Sequence, residues 1–278
     1  MESRDHARRI IALWVALSVI GVLAIIFLLE PHMPPGNVTQ QAADQTRTNT
    51  IIAAVMTPIA IGVLTFFIYA IVVFRARPED GDGPHVKGNE RVQRLWVLAT
   101  LVIVMVLAIF GTTELLGTDQ GIAGVGGGQG PTPIAATPSG ALDVQVISQQ
   151  WAFTYRFPQY GNFETTELAI PVGRPVMFHV TSLDVVHSFW AYQLGVKVDA
   201  VNGADNVAGV TADHTGTFDI RCSELCGLWH GEMSSKGQVL SQADFATWIT
   251  QQRAGSAGVR GLPVQNPTYF PGPVKRAG

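Results

Sequence analysis

The sequence predicts an all-β domain carried on a membrane anchor: transmembrane helices first, then an antiparallel β-sandwich. Three observations predict it. Charged residues make up only 14% of the chain and the mean hydropathy is +0.25, with the apolar residues gathered into three blocks before residue 117. Beyond residue 140 the pattern changes to short alternating runs. Between the two lies a Gly/Pro-rich stretch with no apolar period.

The apolar blocks are 10–29, 51–74 and 95–116, and together they make 1–116 the anchor. Each offers the ~20 residues that cross a ~30 Å hydrocarbon core as a helix. None carries a charge before its final residues. The first follows Arg4, Arg8 and Arg9, as a signal peptide would, but "EPHMPPG" after it has no A-x-A-like cleavage site, so a retained helix is expected. Arg75, Arg77, Lys87, Arg91 and Arg94 lie between the second and third blocks, whereas 30–50 holds only Arg47. Positive loops stay inside. The reading is a multi-pass protein of the cell inner (plasma) membrane, with everything after about residue 117 on the outer side.

Residues 117–140 read as a flexible linker. The sandwich is expected over 141–252. In 141–157 Leu142, Val144 and Val146 alternate with Asp143 and Gln145; 174–180 and 216–222 alternate likewise. Period-two runs parted by "PQYGN", "PVGRP", "VNGADN" and "DHTG" indicate packed antiparallel strands. "SQADFATWITQQ" at 241–252 opens with a Ser-x-x-Asp cap and reads as a helix. The remainder, 253–278, reads as a Pro/Gly/Arg-rich tail. From 117 to 252 there are twelve Asp/Glu against five Lys/Arg, which suits a basic protein partner and excludes nucleic acid.

The only two cysteines stand in "CSELCGLWHGEM". On an oxidising face two cysteines suggest a disulfide, but a disulfide explains neither His230 nor Met233. The spacing Cys-x3-Cys-x3-His-x2-Met puts four ligand-capable side chains on one loop. Thiolate with thioether favours copper, whereas structural zinc takes Cys and His without Met. A mononuclear blue-copper site uses one Cys; two thiolates can bridge a pair of copper ions, Cys222 and Cys226 between them. Each ion would want an imidazole, so a second His must come from elsewhere. His179, His187 and His214 are available, and His187, expected just past a strand in "SLDVVHSFW", is favoured.

A membrane anchor followed by "DVVHSFW" and then "CSELCGLWHGEM" resembles subunit II of cytochrome c oxidase, over residues 85 to 250. The resemblance implies a cupredoxin-like sandwich with a dinuclear copper centre. It implies that Cys222 and Cys226 bridge two copper ions, that His187 and His230 bind one each, and that Met233 and the Glu224 backbone carbonyl complete the sites. The Glu224 side chain would reach a magnesium or manganese ion shared with subunit I. The family function is to accept electrons from cytochrome c and pass them to the haem of subunit I, where oxygen is reduced to water with proton pumping. The implied partners are cytochrome c (or a membrane-bound cytochrome c donor), subunit I, other oxidase subunits and the lipid membrane.

"QQWAFTYRFP" matches the family's aromatic stretch, and its Trp151 would be the ring that takes the electron. Trp151, Phe153 and Tyr155 are expected on one strand face. The chain departs from the family at Arg156, often acidic in relatives, and at Ala204, where relatives have an arginine. Many relatives also carry a glutamate as the mouth of a proton path where this chain has Gln93; Glu90, one turn earlier, is expected to take that role. A nitric-oxide or nitrous-oxide reductase can carry the same copper loop and is the alternative reading. A quinol oxidase subunit lacks the two cysteines, and a copper carrier needs exposed, exchangeable ligands.

Overall fold

The computed structural model describes residues 2–33, 36–75, 81, 88–117 and 139–256. Helix α1 covers Glu2–Ala24 and continues through a wide turn at Ile25–Leu29 and a tight one at Glu30–His32. Helix α2 is Gln40–Val73 and α3 is Glu90–Gly117. Among the described residues these three helices are long and apolar enough to cross a membrane. Their apolar side chains face outward: Phe27 is 71% exposed and Trp96 70%. Such surfaces suit hydrocarbon rather than water.

Within the helical unit, α1 lies against α2. The Trp14 indole N–H donates to the carbonyl of Pro58 (2.7 Å), and His6 Nδ1 lies 2.8 Å from the Tyr69 hydroxyl. Both α2 and α3 begin well before their apolar blocks. Asn89 caps α3, its Oδ1 accepting from the N–H groups of Arg91 and Val92. Thr39 caps α2 through the Ala42 N–H (3.0 Å).

Residues 32–47 group with the sandwich and are described with it. The Thr39 hydroxyl donates to the Leu194 carbonyl (3.0 Å), and the Gln41 and Gln45 amides donate to the Gly195 carbonyl. Asp213 accepts from the Gln40 N–H (2.7 Å) and donates its own N–H to the Val38 carbonyl. Ala42 is fully buried there. Gly195 allows the approach, since a Cβ on it would stand 3.1 Å from the Ala42 backbone and its φ is +68°.

Among the described residues the sandwich has ten strands: β1 (Leu142–Gln149), β2 (Ala152–Phe157), β3 (Phe163–Thr165), β4 (Leu168–Pro171), β5 (Pro175–Ser182), β6 (His187–Ala191), β7 (Val196–Ala200), β8 (Asn206–Thr211), β9 (Gly216–Cys222) and β10 (Ser234–Leu240). One sheet runs β3-β2-β1-β5-β8 and the other β4-β10-β9-β6-β7. Most pairs are antiparallel, as expected, but β1 with β5 and β4 with β10 are parallel. Helix α4 (Gln242–Ser256) packs against the edge strands β3 and β4 with Phe245, Trp248 and Ile249 buried, after the Ser241–Asp244 cap expected from the sequence.

Alternation sets the core. Leu142, Val144 and Val146 of β1, Phe153, Tyr155 and Phe157 of β2, and Val176, Phe178 and Val180 of β5 are buried. Phe189 of β6 is central, edge-on to Phe153 at 5.6 Å and tilted on Phe178 at 5.3 Å.

Two expectations are corrected here. The run 141–157 is a hairpin rather than one strand: Gln150 and Trp151 form the turn between β1 and β2, so Trp151 is off the strand that carries Phe153 and Tyr155. Helix α4 continues to Ser256, past the expected start of the tail, through exposed positions 253–255. Linker residues 118–138 and tail residues 257–278 lie outside the described residues, as do 76–80 and 82–87 of the basic loop.

Candidate metal centre

Phe218, Ile220 and Cys222 are successive inward positions of β9, all buried. Period two therefore aims the Cys222 thiol into the end of the sandwich. Strand β6 pairs with β9 so that Phe189 faces Cys222, and His187 lies two residues earlier on the same face of β6. His187 is fully buried and is the first residue of β6 rather than a loop residue just past a strand. After Cys222 the chain turns back over the sandwich end, and a tight turn at His230–Glu232 leads into β10. That return brings Cys226, His230 and Met233 beside Cys222.

The donor atoms converge. Cys222 Sγ lies 3.7 Å from Cys226 Sγ, 3.8 Å from His187 Nδ1 and 3.2 Å from the Glu224 carbonyl oxygen. Cys226 Sγ lies 3.5 Å from His230 Nδ1 and 4.0 Å from Met233 Sδ. His187, Cys222 and Cys226 form a group that could hold a metal ion. Both cysteines are free and buried, so no disulfide closes the loop. Bonds of 2.0–2.3 Å in a tetrahedral site imply donor–donor edges of about 3.3–3.8 Å. The two thiols and the two imidazoles fall in that range at 3.5–3.8 Å, with the Glu224 carbonyl just short of it at 3.2 Å and the Met233 thioether just beyond at 4.0 Å. Two sulfurs, two imidazole nitrogens, a thioether and a carbonyl are a soft set that fits copper.

Surrounding residues hold the donors in place. His187 Nε2 lies 2.8 Å from Asp184 Oδ1, which leaves Nδ1 free to face the thiols. Burial opposes ionisation of Asp184, but hydrogen bonds from the Gln150 N–H, His187 and the Val185 N–H outweigh it and hold the carboxyl below its usual range. Burial and the adjoining Cys222 thiol push the Cys226 thiol up to about 12, so a metal binding there would displace a proton.

The other residues singled out from sequence fall in different places. Trp151 is half-buried and packs against the core beside Gly227; among the described residues its indole N–H is a buried donor without a partner. The Glu224 side chain is exposed while its carbonyl turns inward. Glu90 and Gln93 are in the first turn of α3, remote in sequence from the cluster, and Glu90 pairs with Arg94 at 2.6 Å with its side chain 77% exposed. His179 belongs to β5 and lies 3.0 Å from Asp205, outside the cluster, and His214 is exposed. Arg156, where the sequence departs from the family pattern, is buried, and its guanidinium donates to Glu164. Sequence reasoning passed over Asp184 and Gln150; "SLDVVH", a carboxylate three residues before an imidazole, was the available signal.

Residues 164–237 match the family described as cytochrome C oxidase subunit II, periplasmic domain. The chain is 27% identical over 286 residues to cytochrome c oxidase subunit 2 of Thermostichus vulcanus, covering 87% of this chain and 86% of that one. It is 29% identical over 246 residues to cytochrome c oxidase subunit 2 of a Synechocystis species, covering 75% and 73%. Among solved structures it is similar to the periplasmic domain of subunit II of cytochrome oxidase (CoxB) of Bradyrhizobium japonicum, at 30% identity and a TM-score of 0.41, over 43% of this chain and 98% of that one. Residues 164–237 thus carry the periplasmic domain of the subunit II family of cytochrome c oxidase, an oxidoreductase complex, and the chain is similar to that family's members over most of their length.

Proposed function

We propose that this chain is the electron-accepting subunit of its oxidase, taking single electrons from cytochrome c at a dinuclear copper centre and passing them to the haem of subunit I. The observation that carries the reading is the convergence of four donor atoms, each 3.2–4.0 Å from one of two cysteine sulfurs that themselves lie 3.7 Å apart. Copper bound there would supply a one-electron couple. Cys222 and Cys226 would bridge the ions, His187 and His230 would each donate Nδ1, Met233 its thioether and Glu224 its carbonyl. Asp184 holds the His187 ring at Nε2, and the strands fix the donors so that little rearranges when an electron arrives. Trp151, half-buried against the loop that carries Cys226, would be where the electron arrives. Oxygen reduction and proton pumping would belong to subunit I.

The exposed Glu224 carboxylate would be free to hold a magnesium or manganese ion shared with subunit I. Glu90 and Gln93 would lie at a proton-uptake mouth on the opposite side of the membrane. The side assignment draws on the packing of 36–46 against the sandwich, which keeps the α1–α2 connection with the copper domain. Three crossings of an inner membrane, with the copper domain outside and the basic 75–94 loop inside, satisfy that packing and the charge asymmetry together. Domains then run as an anchor, a linker from 117 to 140, a copper domain from 141 and a tail.

The test is a metal count and an electron paramagnetic resonance spectrum of the purified assembled oxidase. Two coppers per chain beyond those of subunit I, sharing one unpaired electron, are expected. One copper or none in this subunit would overturn the reading. The nitric-oxide or nitrous-oxide reductase alternative predicts turnover of those gases in place of oxygen, and the family match favours oxygen.

A further inference from the structure

Gln150 touches both loops that bring the metal-site donors together, although it supplies no donor atom itself. Its backbone N–H donates to Asp184 Oδ2 at 2.7 Å, and the other oxygen of that carboxylate is the one beside His187 Nε2. Its side-chain amide donates to the Cys226 carbonyl at 2.8 Å. The contact has a built recess: Gly227 follows with φ +119°, and a Cβ there would stand 2.9 Å from Gln150 Nε2 and 3.4 Å from the Trp151 ring. A residue other than glycine would push the amide off the carbonyl. The corner of the β1–β2 hairpin, held by strands on either side, thus sets the orientation of the peptide that carries Cys226, the thiol flanked by His230 and Met233.

We propose that Gln150 is a positioning residue for the electron-transfer centre, locking the Cys226 peptide through its side chain and the Asp184–His187 pair through its backbone. This rests on the reading of the cluster as a copper site. The two halves are separable by chemistry. Any substitution but proline keeps the backbone N–H, so a side-chain variant releases only the Cys226 half. The carbonyl of buried Cys226 then loses a donor, a loss of the kind that buried polar groups tolerate poorly. Asn is too short by one methylene to span the same gap, and Glu replaces the donor with an acceptor facing an acceptor.

The experiment compares Gln150→Leu, Gln150→Glu and Gln150→Asn with wild type in the full chain, reconstituted in lipid, first without metal and then with copper. In the metal-free protein, amide hydrogen exchange across 223–230 should rise at least threefold in all three variants, while exchange at 183–188 and the unfolding midpoint stay near wild type. With copper, the metal count should hold, and the hyperfine pattern and redox midpoint should shift in each variant. Unchanged exchange at 223–230 would overturn the proposal. Equal rises at both loops with a fall in the unfolding midpoint would assign Gln150 a general folding role and overturn it as well. Exchange changes confined to 223–230 in the variants, together with a wild-type protein that takes up no copper, would uphold the lock and sink the copper reading instead.

Discussion

Cys222 and Cys226 reach their shared position by different routes, and the difference shows what one residue can reveal. Cys222 continues the inward row of β9, so a reader of "GTFDIRC" can place its thiol in the core by counting in twos. Cys226 arrives by a loop, and only its soft neighbours mark it. Replacing Cys222 by Ser should leave a set that cannot bridge two ions; the mixed-valence signal should vanish and the copper content fall below two per site. Met233→Leu should keep the copper, because the thioether sits 4.0 Å from one thiol at the margin of the set and tunes rather than holds. Retention of the paired signal in the first variant, or loss of all copper in the second, would reverse that ranking. Trp151 was legible as an aromatic and not as a turn residue, since alternation carries across a tight hairpin without a break. Being half-buried, it should cost less on truncation than the ~3–5 kcal/mol of a fully buried ring. Trp151→Ala should therefore slow electron acceptance from cytochrome c at least tenfold with a small change in unfolding; a stability loss at the full buried value with normal kinetics would make it core. Arg156 could not be read from sequence at all. Its partner Glu164 lies across the β2–β3 pair, and cross-strand register is invisible in one chain of letters.

Elements were most legible where a single period or cap decides them. The apolar blocks, the β1 and β5 alternation and the Ser241 cap all survive as structure. The two parallel strand pairs and the polar start of α2 did not show, because tertiary contacts create them. The start of α2 depends on Thr39, whose hydroxyl caps Ala42 and donates to Leu194. Thr39→Ala should lower stability by roughly 1–2 kcal/mol, the usual worth of an N-cap with a buried bond. Hydrogen exchange should rise near Leu194 with the copper spectrum unmoved; a changed spectrum would mean that the influence of residues 36–46 reaches the site. A second element-scale device is His179 on β5, with Nδ1 3.0 Å from Asp205 and Nε2 3.7 Å from Asp143. Burial lowers its proton affinity, but the two carboxylates outweigh that and raise it above the ordinary imidazole value. A raised value means that the contribution is full below about pH 6.5, the unfolded-state value, and fades as pH rises through the folded value. The stability gap between wild type and His179→Asn should thus narrow steadily from pH 6 to pH 9. A gap that widens over that range would assign the opposite sign.

At the scale of the molecule, charge divides the chain as clearly as hydropathy does. The described part of the sandwich domain, 139–256, carries eleven acidic residues and six basic ones. Arg156 pairs with Glu164 and Lys236 with Asp219, which cancels two charges of each sign and leaves the net excess of five acidic residues unchanged. Apolar side chains stand exposed near the metal cluster, among them Leu225 at 79% and Leu228 at 84%, a surface suited to close contact after a charge-guided approach. A basic donor should therefore be steered to the domain at long range and held at short range by apolar contact. Screening separates the two, because the Debye length falls from about 30 Å at 0.01 M salt to about 10 Å at 0.1 M. The bimolecular rate with a basic cytochrome c should drop at least tenfold across that range, whereas electron transfer inside the preformed complex should barely change. With an acidic donor the bimolecular rate should rise instead. A flat dependence with the basic donor would mean that the acidic surface serves only solubility. The donor would then have to be a membrane-held protein, which reaches the copper domain by confinement and needs no field to guide it.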